Sequence, residues 1–385
     1  MATSNLKLRA SNKKLRILIF NWRDIKNPLS GGAEVLTHEM AKRWVRKGHR
    51  VTYFSAVFAG CQREETIDGV RVIRRGAPDI LSFSIPVHFW AFWFYWTKFR
   101  GKFDVVIDEI HGIPFFTPFF VKEKKIVLIC EVAKEIWGQM FSFPWNLIGR
   151  LVEKFYFRIY KRILFLTISP STKKDLIKAG IPAKSITILP MGVTLNLPKN
   201  LPSKEKNPTF IFVGRLCKMK AVDEAIRAFA LIIKNFPRAE FWIVGDGERE
   251  YVDYLKKLVS QKELRKNVKF FGFVDEGKKF ILLAKAHILL HPSKREGWGL
   301  VVHEANSAGT PTVAYNSPGL RDVVKDGKNG ILCEENTPQD MSEKLISLLE
   351  NKSLYQKLQK GGLEEVKKHD WNKTAKVAIE VLDKL

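Results

Sequence analysis

The chain has 385 residues, 45% of them hydrophobic and 27% charged, a globular balance in a length that exceeds one ordinary core, so two domains are expected. A formal net charge of +25 points to an anionic partner, either nucleic acid, a membrane surface or an anionic substrate. No basic-region heptad, paired Cys/His finger pattern or RNP-type signature accompanies that charge, which argues against nucleic acid. The four cysteines, Cys61, Cys130, Cys217 and Cys333, form no C-x-x-C pair, so no zinc site is expected.

Residues 1–16, "MATSNLKLRASNKKLR", lack an apolar core, so a secretory signal is not expected and a reduced, cytoplasmic chain is. "LRILIF" (15–20) reads as the first strand. A helix over about 33–47 follows, with Val35, Leu36, Met40 and Val45 near helical spacing and Gly48 ending it. Strands are expected at 50–56 and 70–75. The stretch "ILSFSIPVHFWAFWFYWTKF" (80–99) is marginal for a membrane span, contains Pro86 and His88, and is rich in interface-seeking Trp and Tyr. It reads as a helix buried on a sheet, or as an interfacial membrane helix. Strands at 103–110 and 125–130, a helix over 147–161, a strand at 163–169, a short helix closed by Gly180 and a strand at 185–190 complete the first half.

"LNLPKNLPSKEKNP" (195–208) reads as a linker, with Pro198, Pro202 and Pro208 among charges. The pattern then restarts. Strands are expected at 209–215, within 240–247 ("EFWIVGDG", strand and turn), and at 267–274, 287–293, 310–315 and 330–333. Helices are expected near 221–235, 248–260, 277–285, 299–308 and 338–350, with two more closing the chain. The strands are continuous apolar runs, the pattern of parallel strands covered on both faces. The fold class is therefore α/β, two doubly wound Rossmann-like domains facing a cleft. The divisions are 1–195, a linker at 196–208, a second domain at 209–365 and a last helix at 366–385.

Three stretches carry chemistry, each at the carboxyl end of a strand. "SGGAE" (30–34) opens a helix, where Gly31 and Gly32 permit a close backbone approach and free N–H groups favour an anion. "FVGRLCKMKAVDEA" (212–225) places Arg215 and Lys220 on one loop, a forked donor and a point charge suited to phosphate. "REGWGLVVHEANSAGTPTVAYNSPG" (295–319) runs from loop to helix. Gly297 and Gly299 free its backbone, and the helix start offers unpaired donors. Glu296 precedes that helix and Glu304 lies inside it. Carboxylates accept from two hydroxyls at once, which suits a sugar. Each stretch also has a plainer reading as a cap, a solvated basic loop or a dipole-matched charge.

Together, the E-x7-E spacing of Glu296 and Glu304, "VGRLCKMK", "GGAE" and "VGDGERE" resemble the retaining glycosyltransferases of family four, in that family's order along almost the whole chain. The resemblance implies the GT-B architecture, with a nucleotide-diphosphate-sugar donor in the second domain and a glycan or lipid-linked acceptor at the first. It implies that Arg215 and Lys220 neutralise the diphosphate, that Glu296 contacts the donor sugar and that Glu304 holds the ribose. Backbone at Gly297, Trp298, Gly299, Leu300 and Val301 would touch sugar and phosphate. Gly31 and Gly32 would close from the other domain, and Val274 would meet the base. The last helix would cross back to the first domain.

Cys130 stands where many relatives carry a histidine, and Lys220-Ala221 where the family often has Lys-Gly. His111, Glu131 and Glu135 are the acceptor-side candidates. No D-x-D pattern occurs in a matching loop, so transfer without a metal or other cofactor is expected. An anionic membrane surface is a further expected partner, with a peripheral location on the cytoplasmic face; nucleic acid is not expected. The alternatives are a sugar-nucleotide epimerase and a non-catalytic sugar-nucleotide-binding protein.

Overall fold

Apolar strands that bury both faces need helices on either side, and this chain supplies them twice. The computed structural model describes residues 13–77, 85–134, 136–140, 143–195 and 197–385. Glu135, residues 80–84 of the aromatic stretch and residue 196 of the expected linker lie outside the described residues. The first sheet contains β1 (Arg16–Phe20), β2 (Arg50–Ser55), β3 (Glu64–Ile67), β4 (Val70–Arg74), β5 (Val105–Ile110), β6 (Lys124–Ile129), β7 (Leu164–Thr167) and β8 (Ile186–Ile188). Their order is β3-β4-β2-β1-β5-β6-β7-β8. The second contains β9 (Thr209–Val213), β10 (Glu240–Val244), β11 (Val268–Gly272), β12 (Ile288–His291), β13 (Thr312–Ala314) and β14 (Gly330–Leu332), ordered β11-β10-β9-β12-β13-β14.

All pairings are parallel except β3 with β4. The sequence reading missed β3. "EETI" is a polar edge strand without an apolar run, and its one cue is the Asp68–Gly69 turn, where both residues have positive φ. Strand order reverses between β1 and β5 in the first sheet and between β9 and β12 in the second. Loops leaving such a pair diverge and open a crevice at the strands' carboxyl ends.

Side chains alternate between the faces of a strand. Ile17, Ile19, Val105 and Ile107 pack with the helices Gly32–Arg46 and Trp371–Asp383. Leu18, Phe20 and Val106 face the opposite way, toward the aromatic stretch. That stretch is an α-helix over Val87–Phe94 continued by a π-helical turn over Tyr95–Phe99. Its buried residues are Val87, Ala91, Tyr95 and Phe99, one row at i, i+4 spacing, while Phe92, Trp93 and Trp96 are exposed. No helix among the described residues is long and apolar enough to cross a membrane.

The last helix packs on the first domain. The Trp44 indole donates to the Ala375 carbonyl over 2.9 Å, and the Thr374 hydroxyl donates to Pro190. Trp371 is buried against Gly192, where an added Cβ would fall 2.3 Å from the ring. Trp371→Ala should therefore cost about 3–5 kcal/mol in denaturant unfolding. An unchanged midpoint would show that this helix does not hold the first domain together.

Candidate functional site

The loops leaving β9 and β12, on either side of the second switch point, bring opposite charges together. After β9 the chain passes Arg215 and forms a 3-10 turn at Lys218–Lys220. After β12 it passes Glu296 and enters the helix Leu300–Ser307. The Lys220 ammonium and the Glu296 carboxylate form an ion pair. Burial disfavours charge on Glu296, but Lys220 outweighs it and holds the carboxyl below its ordinary range. Desolvation of the largely buried Lys220 opposes its charge, but Glu296 outweighs it and holds the ammonium above its ordinary range. The His291 ring nitrogen lies 3.4 Å from the same carboxylate oxygen. Burial brings its pKa down to about 4, so it is neutral beside the pair.

Backbone geometry fixes Glu296. Its N–H donates to the Pro318 carbonyl over 3.0 Å, and Ser317 Oγ donates to the Ser293 carbonyl over 2.7 Å. Gly319 has φ +84, and an added Cβ there would lie 2.1 Å from the Glu296 carbonyl oxygen. The helix that follows starts at Gly299 in a left-handed conformation, and no side chain caps it. Its first N–H groups are the natural seat for an anion beside Lys220.

The first domain reaches into this region. Arg215 donates to the Leu29 carbonyl over 2.9 Å, and Arg23 donates to the same oxygen over 3.2 Å. An added Cβ on Gly297 would lie 3.1 Å from the Cys130 carbonyl oxygen, and one on Gly32 would lie 3.2 Å from Leu300. These glycines let the two domains' loops touch. Arg295 pairs with Asp175 across the same seam at 2.7 Å, and the Ser171 N–H donates to Asp322 over 3.2 Å.

Several expected residues are occupied differently. The Gly31 N–H is already taken by the buried Glu34 carboxylate at 2.7 Å. Glu304 is paired with Lys279 at 2.9 Å, and Lys279 also reaches Glu276 at 3.1 Å. Burial pushes the Glu304 carboxyl up, with Lys279 opposing. Val274 is half-buried against the second domain's apolar core. The Trp298 ring packs against the cores of both domains, so only its backbone lies on the loop between Gly297 and Gly299.

On the first domain's side, His111 Nε2 lies 3.0 Å from Glu109 and the ring stacks on Trp22 at 5.6 Å. Burial pulls its pKa down, but Glu109 outweighs this and raises it, which favours the imidazolium. Glu131, at the end of β6, keeps a buried oxygen with no hydrogen-bond partner among the described residues. Burial and the charge of Glu296 raise its carboxyl, while Lys220, Arg295 and His111 oppose. Glu131 is thus within electrostatic reach of the Lys220–Glu296 pair and of His111. Among the described residues, no three His, Cys, Asp or Glu side chains are grouped to hold a metal ion.

Sequence reasoning missed His291, Arg23, Lys279, the Asp175–Arg295 bridge and the Gly319 brace. The Pro-Gly pair was the one local signal, for the brace. The others are long-range pairings.

Residues 194–365 match the family model described as glycosyl transferases group 1, and residues 30–197 match glycosyltransferase family 4. A glycosyltransferase of Haemophilus influenzae is 35% identical over 160 residues, which span 41% of this chain and 44% of that relative's length. A glycosyltransferase of Methanocaldococcus jannaschii is 26% identical over 401 residues, covering 97% of this chain and 99% of the relative. Sucrose-phosphate synthase of Thermosynechococcus elongatus superposes with a TM-score of 0.79 at 18% identity, over 96% of this chain and 99% of its own. Anabaena HepE, solved in complex with UDP-glucose, superposes with a TM-score of 0.74 at 18% identity, over 96% of this chain and 100% of its own.

Gly319→Ala and Gly101→Ala both force a positive φ, +84 and +74, but only the former meets backbone, since nothing lies within 4 Å of a Cβ at Gly101. Gly101→Ala should lose about 1–3 kcal/mol of stability from backbone strain alone, and Gly319→Ala should lose more. Only Gly319→Ala should also lose ligand binding at the Glu296 loop, read by titration calorimetry. His291 has a folded pKa of about 4, against about 6.5 unfolded. Its contribution is complete above about pH 6.5 and is lost as pH falls toward 4, because the unfolded state then binds the extra proton. Urea unfolding of His291→Asn should show a shallower acid loss than the parent. Equal slopes would contradict the burial argument.

Proposed function

The chain belongs to the group 1 glycosyltransferases, and from that premise we propose that it moves a sugar from a nucleotide-diphosphate-sugar to a glycan or lipid-linked acceptor with retention of configuration. The observation that carries this reading is the Lys220–Glu296 pair beside an uncapped helix N-terminus at the second switch point. A diphosphate seated on the Leu300 and Val301 amides takes up Lys220, and Arg215 adds its fork. That frees Glu296 to accept hydroxyls of the donor sugar. Lys279 stands in the same relation to Glu304, which accepts the ribose hydroxyls once the nucleotide arrives.

Chemically, the bond from the anomeric carbon to the phosphate oxygen breaks and the acceptor oxygen attacks from the same face. The acceptor proton passes to the departing phosphate oxygen. Negative charge grows on the diphosphate, where Arg215, Lys220 and the helix dipole meet it; fixed charges of this kind lower the barrier most. Those cations supply the neutralisation that a metal supplies in other sites. HepE's complex with UDP-glucose makes UDP-sugars the first donors to try. An epimerase and a non-catalytic binding protein are not favoured, and incubation with donor alone separates them by the isomerised nucleotide or by an unchanged one.

Lys220→Ala and Glu296→Ala should each lower turnover of the preferred donor by about 10²–10³, with a folded thermal transition retained. Parent-like turnover in either variant would refute the site. Chelator should leave the parent's turnover unchanged, and a chelator-sensitive reaction would refute the metal-independent part of the reading.

A further inference from the structure

The helix Trp145–Tyr160 turns an unusual face to solvent. Ile148, Leu151 and Phe155 form one exposed row at helical spacing, and Phe155 is 60% exposed. Beside it runs a second exposed row, Arg150, Lys154 and Arg158, continued by Lys161. The only acid of this helix, Glu153, points inward and accepts the Ala133 and Lys134 N–H groups at 2.9 and 3.0 Å. No carboxylate therefore interrupts the outward face.

This helix and the Val87–Phe94 helix cover the same side of the first sheet. Val106 of β5 packs toward the aromatic helix, and Ile110, four residues on and so on the same face, packs toward Tyr156 and Tyr160. Between the helices, Phe119 is 69% exposed and its ring stacks with Phe116 at 6.3 Å. Trp93 and Trp96 on one helix and Trp145 on the other are exposed on that side. One domain face thus joins exposed aromatic rings to a row of cations. Such a patch marks an interaction surface.

We propose that this face docks on an anionic lipid bilayer, with the aromatic and aliphatic row entering the headgroup boundary and Arg150, Lys154, Arg158 and Lys161 contacting anionic headgroups. Charge selects the occupant. A two-fold contact with a second copy would gather two such cation rows in one interface with no helix carboxylate to neutralise them. Anionic headgroups neutralise it, and Trp is the residue that favours a membrane interface. Glu153 ties this helix to Ala133 and Lys134, in the loop that also carries Glu131. The inference rests on exposure and charge, and donor hydrolysis in solution is independent of it.

Flotation of the full chain with vesicles tests the proposal, using phosphatidylcholine alone or mixed with phosphatidylglycerol, at low and high salt. The chain should float with the anionic vesicles, and less so at high salt. Each removed cation should weaken binding about fivefold. The triple variant Arg150→Ser, Lys154→Ser, Arg158→Ser should then lose about a hundredfold. Leu151→Asp with Phe155→Asp should lose at least about tenfold, since exposed apolar area no longer enters the boundary. Both variants should keep the parent's thermal transition and its hydrolysis of donor in solution, which separates failure of this proposal from failure of the transferase reading. Equal flotation with neutral vesicles, or unchanged flotation of both variants, would overturn it. So would a lipid-free dimer in sedimentation that the Leu151→Asp, Phe155→Asp variant dissociates.

Discussion

The pairing of Lys220 with Glu296 is the constraint on which the site depends. It joins loops from the two strands that flank the second switch point, and both partners are largely buried. A buried ion pair is weak support for stability, because desolvation offsets most of its attraction. Its value here is positional. The lysine is held charged and the carboxylate is held ionised, the forms each needs under the proposed exchange of its partner for a ligand group. The neutral His291 beneath them adds no charge that would compete.

The rest of the second domain serves that geometry. The Ser317–Gly319 turn sets the height of Glu296, and the left-handed Gly299 turns the chain so that the helix begins beside Lys220. The seam with the first domain is made by the same loop. Gly297 meets Cys130, Arg295 meets Asp175, and Trp298 packs into both cores. Movement of one domain against the other would therefore be felt at Glu296 directly. Cys130 packs against Gly297 at this seam, and Glu131 and His111 are the ionisable candidates of the first domain on the same side.

Much of the fold was legible in the sequence because parallel strands bury both faces and read as unbroken apolar runs. "LRILIF" and "HILLHPS" are of this kind. β3 was not, because an edge strand alternates and "EETI" contains little apolar surface. The helix at 147–161 was legible, but its exposed row was not. A helix with apolar residues on most sides gives no sign from periodicity of which ones the fold leaves outside. In the site, the residue types and their place at strand ends were legible, as were Glu296 and Glu304 through their spacing. That Lys220 pairs with Glu296, 76 positions away, or that Lys279 holds Glu304, depends on strand order, which local pattern does not encode. The reading of Gly31 as an open anion seat overlooked Glu34, three residues on, in the capping-box position.

The most direct measurement is a crystal structure of the chain with a nucleoside diphosphate bound. The account predicts the diphosphate on the Leu300 and Val301 amides, with Lys220 moved from Glu296 to a phosphate oxygen and Glu304 on the ribose. A diphosphate bound elsewhere, with the Lys220–Glu296 pair intact, would contradict it.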